Sequence, residues 1–360
     1  MKRQRIMMWG LCLVMATALS LPINSRSAFA QTAGELLQRY SKLPAAERQR
    51  ALEAGAQKEG SVSFYGTMSV KDAKVLIDKF HQRYPGVTVR HIRLGSSPML
   101  SRILTEHRGG RRDVDVVGIT GPGAQVLIDY GLIDPYSSSE KPAIRNDFVS
   151  SKGLWSAVEL YLVVVGYNTK SVAPADVPKS YQDLLDKKWA NSMSLDQTDE
   201  DWFHFLANEW GEKKATDYLT NLMKLNPKLH RGRELRAQMV AAGEFLIAPT
   251  LYDYRVRNLK DQGAGINSVA LLPIMALPNV AMLARYAPHP HAAALFIDWL
   301  LSETGQKLIE SELGRDPTRK GLGRGMDETV GGRPVKVIAP DSLGPKTGDY
   351  LKLYRKITGQ

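Results

Sequence analysis

The chain is nearly devoid of cysteine: its 360 residues contain one, Cys12. That residue lies in an apolar run from Ile6 to Leu21, behind Lys2, Arg3 and Arg5. Ala28-Phe29-Ala30 follows with the small-x-small pattern that a signal peptidase accepts. The competing reading is an uncleaved membrane anchor, but the run is short for a span and ends at Pro22. Cleavage after Ala30 is expected, with Gln31 as the new N-terminus. The context Trp9-Gly10-Leu11-Cys12 is too early and too bulky for a lipidation site. Removing 30 of 360 residues leaves 330 with no cysteine. Disulfides, thiolate catalysis and cysteine-ligated zinc or iron–sulfur centres are thereby excluded.

Other signatures are missing as well. No Gly-x-Ser-x-Gly or His-Glu-x-x-His pattern occurs, so hydrolase chemistry has no visible carrier. Gly321, Gly323 and Gly325 are no phosphate loop, because no lysine-serine pair follows and no strand precedes them. No dense lysine or arginine run is interleaved with aromatics, which excludes nucleic acid as a partner. The greasy stretch from Ala264 to Ala287 is broken by Asn267, Pro273, Pro278 and Asn279. It predicts two buried strands joined by a turn, not a membrane helix.

What remains is long and basic. A core rarely serves 330 residues alone, so two lobes are expected. Loss of Lys2, Arg3, Arg5 and Arg26 lowers 48 basic residues to 44 against 37 acidic ones, a net of +7. Such a balance suits an anionic ligand or a membrane surface, or is a solvated basic surface.

Strand, loop and helix then alternate. Pro44 opens a helix running to about Glu59, and Val62 to Tyr65 is a short strand. Ser69 caps a helix, with Asp72 completing the capping-box spacing and Val70, Ala73, Ile77, Phe80 and Tyr84 on its apolar face. Pro85-Gly86 ends it, and Val87 to Leu94 alternates as a strand. Gly95-Ser96-Ser97-Pro98 leads into a helix ending near Arg108, Val114 to Ile119 is a strand, and Thr120-Gly121-Pro122-Gly123 leads into a short helix. This alternation predicts an α/β sheet with ligand-facing loops at the strand ends. Farther on, Tyr161 to Tyr167 is a strand, Pro178 to Trp189 a loop then a helix, and Phe245 to Ala248 and Asn279 to Ala284 further strands. Helices are expected over 201–210, 212–224 and 233–242, and over a segment whose apolar face holds Leu295, Phe296, Trp299 and Leu300. The glycine- and arginine-rich tail from Gly321 to Gly332 reads as a loop.

Several segments, in order, resemble the ferric-type branch of the family 1 extracellular solute-binding proteins. They include Ala56-Gln57-Lys58-Glu59-Gly60-Ser61-Val62, Asp113-Val114-Asp115-Val116, Gly166-Tyr167-Asn168-Thr169 and Tyr181-Gln182-Asp183-Leu184-Leu185. Arg231-Gly232-Arg233 with Val240-Ala241-Ala242-Gly243-Glu244, and the stretch from Ala292 to Leu300 with Gly305-Gln306, continue the likeness. The resemblance implies a type II periplasmic-binding fold, two α/β lobes joined by a crossover hinge. Lobe one would take 31–152 plus 283–333, and lobe two 153–282 plus 334–360. It further implies a periplasmic monomer that catalyses nothing, needs no cofactor, and delivers a small-molecule ligand to an inner-membrane ABC permease and its ATPase. A ferric carrier with altered ligands, a secreted enzyme with an unrecognised site, and a sensor subunit are the alternatives.

Helix N-termini after strands suit anions, since free backbone N–H groups point outward there. Thr67, Ser96, Ser97, Thr120 and Gly121 are the candidates on such loops, against the reading that the serines only cap helices. Arg231 could clamp an acid, whereas Arg233 reads as a lobe-internal ion pair. Tyr252 falls where the second of two adjacent metal-binding tyrosines stands in ferric members. Leu251 replaces the first, and Met68 or Ser69 stands where the family has a histidine. No metal site is therefore expected, unless Tyr252 serves a ferric cargo. Tyr254 reads as a poor substitute, because residues two apart on a helix point to opposite sides. His289-Pro290-His291 reads as surface capping, and Asp199, Glu200 and Asp201 as charges favouring a helix N-terminus.

Overall fold

The chain's first half alternates strand and helix because its apolar residues switch from period 2 to period 3.6 between glycine- and proline-marked turns. The computed structural model describes residues 31–340 and 347–360, so the expected leader lies outside the described residues. After α1 (Ala33–Gln38) and α2 (Ala45–Glu59) come β1 (Ser61–Gly66), α3 (Val70–Arg83), β2 (Thr88–Arg93), α4 (Ser96–Arg108), β3 (Val116–Thr120), α5 (Pro122–Asp129) and β4 (Ile133–Asp134). Ser69 caps α3 by accepting a hydrogen bond from Asp72 N, as its spacing predicts. β1 pairs in parallel with β2 and with β3, so the loops after β1 and β3 leave the same end of the sheet.

Two long strands organise the rest. β5 (Ser156–Asn168) is followed by β6 (Ser194–Asp196), α6 (Glu200–Trp210), α7 (Glu212–Met223), β7 (Lys228–His230), α8 (Arg233–Ala242), β8 (Ile247–Tyr252), α9 (Asp253–Asp261), β9 (Ile266–Val269) and β10 (Ile274–Ala284). The segments 266–269 and 274–284 are the two strands predicted from the interrupted apolar stretch. β10 runs antiparallel to β3 through Asn279–Leu283 and parallel to β12 (Val335–Val337) through Ile274–Ala276. β5 pairs with β10 up to Leu162, and from Val163 onward it pairs with β8 and β9. β5 thus changes sheets in mid-strand, while β10 stays in one sheet and changes neighbour from β12 to β3. The chain closes with α10 (Pro290–Leu301), α11 (Glu303–Ser311), β11 (Asp316–Pro317), α12 (Arg324–Val330) and α13 (Thr347–Thr358).

The buried apolar residues form two clusters, the first of which runs from Phe64 and Phe80 to Val240 and Leu251. In the first, Phe80 meets Phe296 and Trp299 edge to face at 5.2 and 5.7 Å. α10 is buried all round from Ala292 to Leu301, the expected state of a helix with no polar face. The second core gathers Tyr181, Trp202 and Tyr218 under α6 and α7, and α13 adds the buried Tyr350 and Tyr354. Full burial of each such aromatic stabilises by ~1.5–3 kcal/mol.

Three local expectations are corrected. The helix foreseen before Trp189 is two 3₁₀ turns, Gln182–Leu185 and Lys187–Trp189, since Asp186 breaks into extended backbone between them. The 321–332 segment contains the seven-residue helix α12, bounded by Gly323 and Gly331, both left-handed. His289 and His291 do not cap with their side chains. They bond Asp115 at 2.9 Å and Glu59 at 2.6 Å, anchoring α10 to β3's entrance and to α2.

Candidate functional site

β5 alternates its side chains, which puts Glu159 and Tyr161 on one face. β8 delivers Tyr252, and the first turn of α9 delivers Tyr254. The three tyrosine rings meet, with centroids 4.5 Å apart for Tyr161–Tyr252, 5.6 Å for Tyr161–Tyr254 and 6.0 Å for Tyr252–Tyr254. The last pair is nearly parallel, at 21°. This corrects the expectation for Tyr254. Tyr252 is not on the helix but at its N-cap, in extended backbone (φ −85°, ψ 128°), so helical spacing does not separate the two rings.

Guanidinium groups hold the wall in place. Arg233 lies 4.8 Å from the Tyr252 ring, donates to its hydroxyl at 2.7 Å, and pairs with Asp199 and Asp201. Arg315 lies 4.6 Å from the Tyr254 ring. It bonds both Glu159 oxygens at 2.9 Å, the Tyr161 hydroxyl at 3.1 Å and Asp72 at 2.5 Å. Asn279 donates to Glu159 at 2.7 Å and to the Tyr161 hydroxyl at 2.9 Å. Burial raises all three phenol pKa values, while Arg233 opposes the shift at Tyr252 and Arg315 opposes it at Tyr161 and Tyr254. Beneath Arg233, burial pushes Asp199 up to about 6 against the pull of Arg233, and burial with Asp201 pushes Glu200 up to about 7.

Hydrogen-bonding capacity is left unspent around this wall. The buried Arg233 Nε, Arg315 Nε, Asn279 Oδ1 and Glu200 Oε2 have no partner among the described residues, nor has Thr67 Oγ1 on the loop after β1. Buried polar atoms are normally satisfied, so such a collection suits a polar guest. Among the described residues, no group of three or more His, Cys, Asp or Glu is placed to hold a metal ion.

The residues singled out from sequence fall on several elements. Thr67 follows β1, with its N–H bonded to Gly118 O. Thr120 ends β3 and stands opposite Asn279 in the sheet, one strand from Glu159 and Tyr161. Gly121 precedes α5 at φ +57°, a conformation that favours glycine. Ser96 and Ser97 are the first residues of α4, whose N-cap is Gly95. The Arg231 side chain is exposed, while Arg233 makes the internal ion pairs just described. Sequence reasoning passed over Tyr161, Glu159, Asn279 and Arg315. One signal was available: Glu159 is the only charged residue in the apolar run from Trp155 to Tyr167, and a buried glutamate needs a partner.

Relatives share this architecture. A Haemophilus influenzae protein of unassigned role is 27% identical over 75% of this chain and 83% of its own length. The Fe(3+)-binding periplasmic protein of Serratia marcescens is 21% identical over 71% of this chain and 78% of its own. Iron-bound HitA from Pseudomonas aeruginosa superposes with a TM-score of 0.72 at 22% identity, covering 82% of this chain and 99% of that one. AfuA from Actinobacillus pleuropneumoniae, with fructose-6-phosphate bound, gives 0.65 at 20% identity, covering 83% and 97%. The family of bacterial extracellular solute-binding proteins matches residues 119–327, from the end of β3 into α12. That span is more than half of the chain and carries the whole tyrosine wall, so this chain belongs to the bacterial extracellular solute-binding proteins, which bind and carry solutes and are not enzymes.

Proposed function

We propose that this chain is the periplasmic receptor of an ABC importer, and that it captures a small polar solute bearing an anionic group in the cleft between its lobes. We assign the crossing to Leu162–Val163 on β5, where that strand trades β10 for β8 and β9. The observation that carries the reading is the set of unspent polar atoms around Tyr161, Tyr252 and Tyr254. Arg233 Nε and Arg315 Nε supply donors, as does the Thr67 hydroxyl on the loop after β1, while Asn279 Oδ1 and Glu200 Oε2 supply acceptors. Thr67, Thr120, Gly121 and the start of α4 with Ser96 and Ser97 form the opposing lip, and Arg231 stands exposed before α8. A thermal-shift screen of phosphates, phosphonates, carboxylates, thiamine-like compounds and ferric salts tests it. An anion should raise the melting temperature, and Tyr252→Phe should weaken its binding by ~0.5–3 kcal/mol without abolishing it.

A second reading, a ferric carrier, is favoured by one observation: two further tyrosines stand beside Tyr252. Phenolates are hard oxygen donors, but each hydroxyl here is engaged. Arg233 donates to that of Tyr252, that of Tyr161 contacts Glu159, and that of Tyr254 lies 3.3 Å from Glu234. Burial also raises the pKa of each phenol, which opposes ionisation. Loading with ferric citrate discriminates. A visible tyrosinate-to-iron band that disappears in Tyr252→Phe would replace the polar-solute reading with the ferric one.

A further inference from the structure

A second concavity lies at the other end of the sheet. β10 passes Thr120 at Asn279 and ends at Ala284, and Arg285 follows six residues beyond Asn279. At ~3.4 Å per residue that is about 20 Å from the tyrosine wall. Here α1 roofs a cavity of about 620 Å³ lined by Arg48, Lys141, Lys152 and Arg285, with Glu35 and Asp134 as its acids. The size falls in the range of small-molecule sites.

The walls are fixed by the chain's own bonds. Ala33 N donates to Arg285 O at 2.9 Å, and Gly34 N donates to Asp134 Oδ2 at 2.8 Å, which seats α1 on the strand ends. Tyr136 N donates to Gly153 O, joining the two loops that carry Lys141 and Lys152. Arg48 is buried, paired with Asp298 at 2.9 Å and bonded to the Tyr136 hydroxyl at 2.6 Å. The cavity is therefore preformed.

Its charges are not balanced. With Arg48 paired to Asp298, the cations Arg285, Lys141 and Lys152 face the carboxylates of Asp134 and Glu35, the latter also accepting from Thr32 N at 3.0 Å. Asp134 faces Arg285 only at 3.9 Å, and the buried Arg285 Nε has no hydrogen-bond partner among the described residues. The ammonium groups of Lys141 and Lys152 likewise have no partner among the described residues. The Arg285 side chain, 41% exposed, and the two ammonium groups without a partner among the described residues thus border one preformed cavity. We propose that this cavity is a second solute site, for a small molecule with two or more acidic groups, independent of the cleft between the lobes. Arg285 would meet one acid at the floor, and Lys141 with Lys152 would meet another at the rim, each by charge-assisted hydrogen bonds.

Isothermal titration calorimetry of the purified protein with citrate and with inorganic pyrophosphate tests this. At least one should bind, more weakly as salt rises. The double variant Lys141→Ala/Lys152→Ala should weaken that binding by at least about tenfold, the effect of losing one charged contact. Neither ammonium group has a partner among the described residues, so the variant should melt like the parent. Tyr252→Phe should leave this binding unchanged, whatever becomes of the cleft reading. The proposal is overturned by the absence of heat with both probes, by binding that survives the double variant, or by binding that Tyr252→Phe removes.

Discussion

Arg315 is 3% exposed and Glu159 is fully buried, so each charge is tolerable only through the other. Arg315→Ala would leave Glu159 with Asn279 and the Tyr161 hydroxyl but no cation. Breaking a buried pair this way costs about 3–5 kcal/mol, and urea unfolding should show it. Arg315→Lys should lose less, because the charge stays while the fork is lost. Tyr252→Phe removes a neutral acceptor from Arg233, which keeps Asp199 and Asp201. Its stability loss in the absence of any solute should therefore be near 1 kcal/mol. Glu200 gives a pH signature. Its folded pKa stands above its usual value, at about 7, so its contribution is fully present below the unfolded pKa near 4.5 and is lost as pH rises through about 7. Glu200→Gln mimics the protonated form. The parent should match the variant in acid and fall progressively below it up to about pH 7, with a constant gap above. A melting difference independent of pH would contradict the burial of this carboxyl.

At the scale of elements, the buried Gln306 side chain joins α11 to three neighbours. Its amide donates to Val158 O and Leu300 O at 2.8 and 2.9 Å, and its Oε1 accepts from Thr318 N and Arg319 N. Gln306→Ala would orphan buried backbone groups on β5 and beside β11, each worth ~1–3 kcal/mol. A loss of at least about 2 kcal/mol in chemical unfolding is expected, with reduced hydrogen-exchange protection of Thr318 as its local mark. What was legible in the sequence follows the same physics. α3 was readable because cap, apolar period and terminating residue agree within one segment. α12 was not, because glycines at both ends mask a helix held by tertiary contact: Met326 N donates to Asp316. Tyr254 was misread for a related reason. Sequence spacing cannot tell whether the chain is already helical at Tyr252, and the strand-to-helix turn there sets the ring directions. Arg315 was invisible because its partners Asp72 and Glu159 lie 243 and 156 residues away.

The whole molecule turns on β5, which trades β10 for β8 and β9 at Leu162–Val163, with β10 paired beside it up to that point. Strands under continuous pairing bend rather than unfold, so on the proposed reading the lobes approach by bending there. A solute touching only Tyr252 and Tyr254 binds open and closed forms alike and moves nothing. On the proposed reading, a solute that also meets Thr67, Thr120 or Gly121 gains that contact only when the lobes are together. Small-angle scattering with the solute giving the largest melting shift should therefore show a smaller radius of gyration, against about 20 Å for a compact chain of this length. Thr67→Val makes the claim sharper, because it removes one unspent hydroxyl from the lip and leaves the tyrosine wall intact. It should weaken binding by about 1 kcal/mol and raise the concentration at which compaction is half complete by the same factor, roughly fivefold. Equal dimensions with and without saturating solute, or compaction at an unchanged midpoint in Thr67→Val, would mean that the lip takes no part in closure.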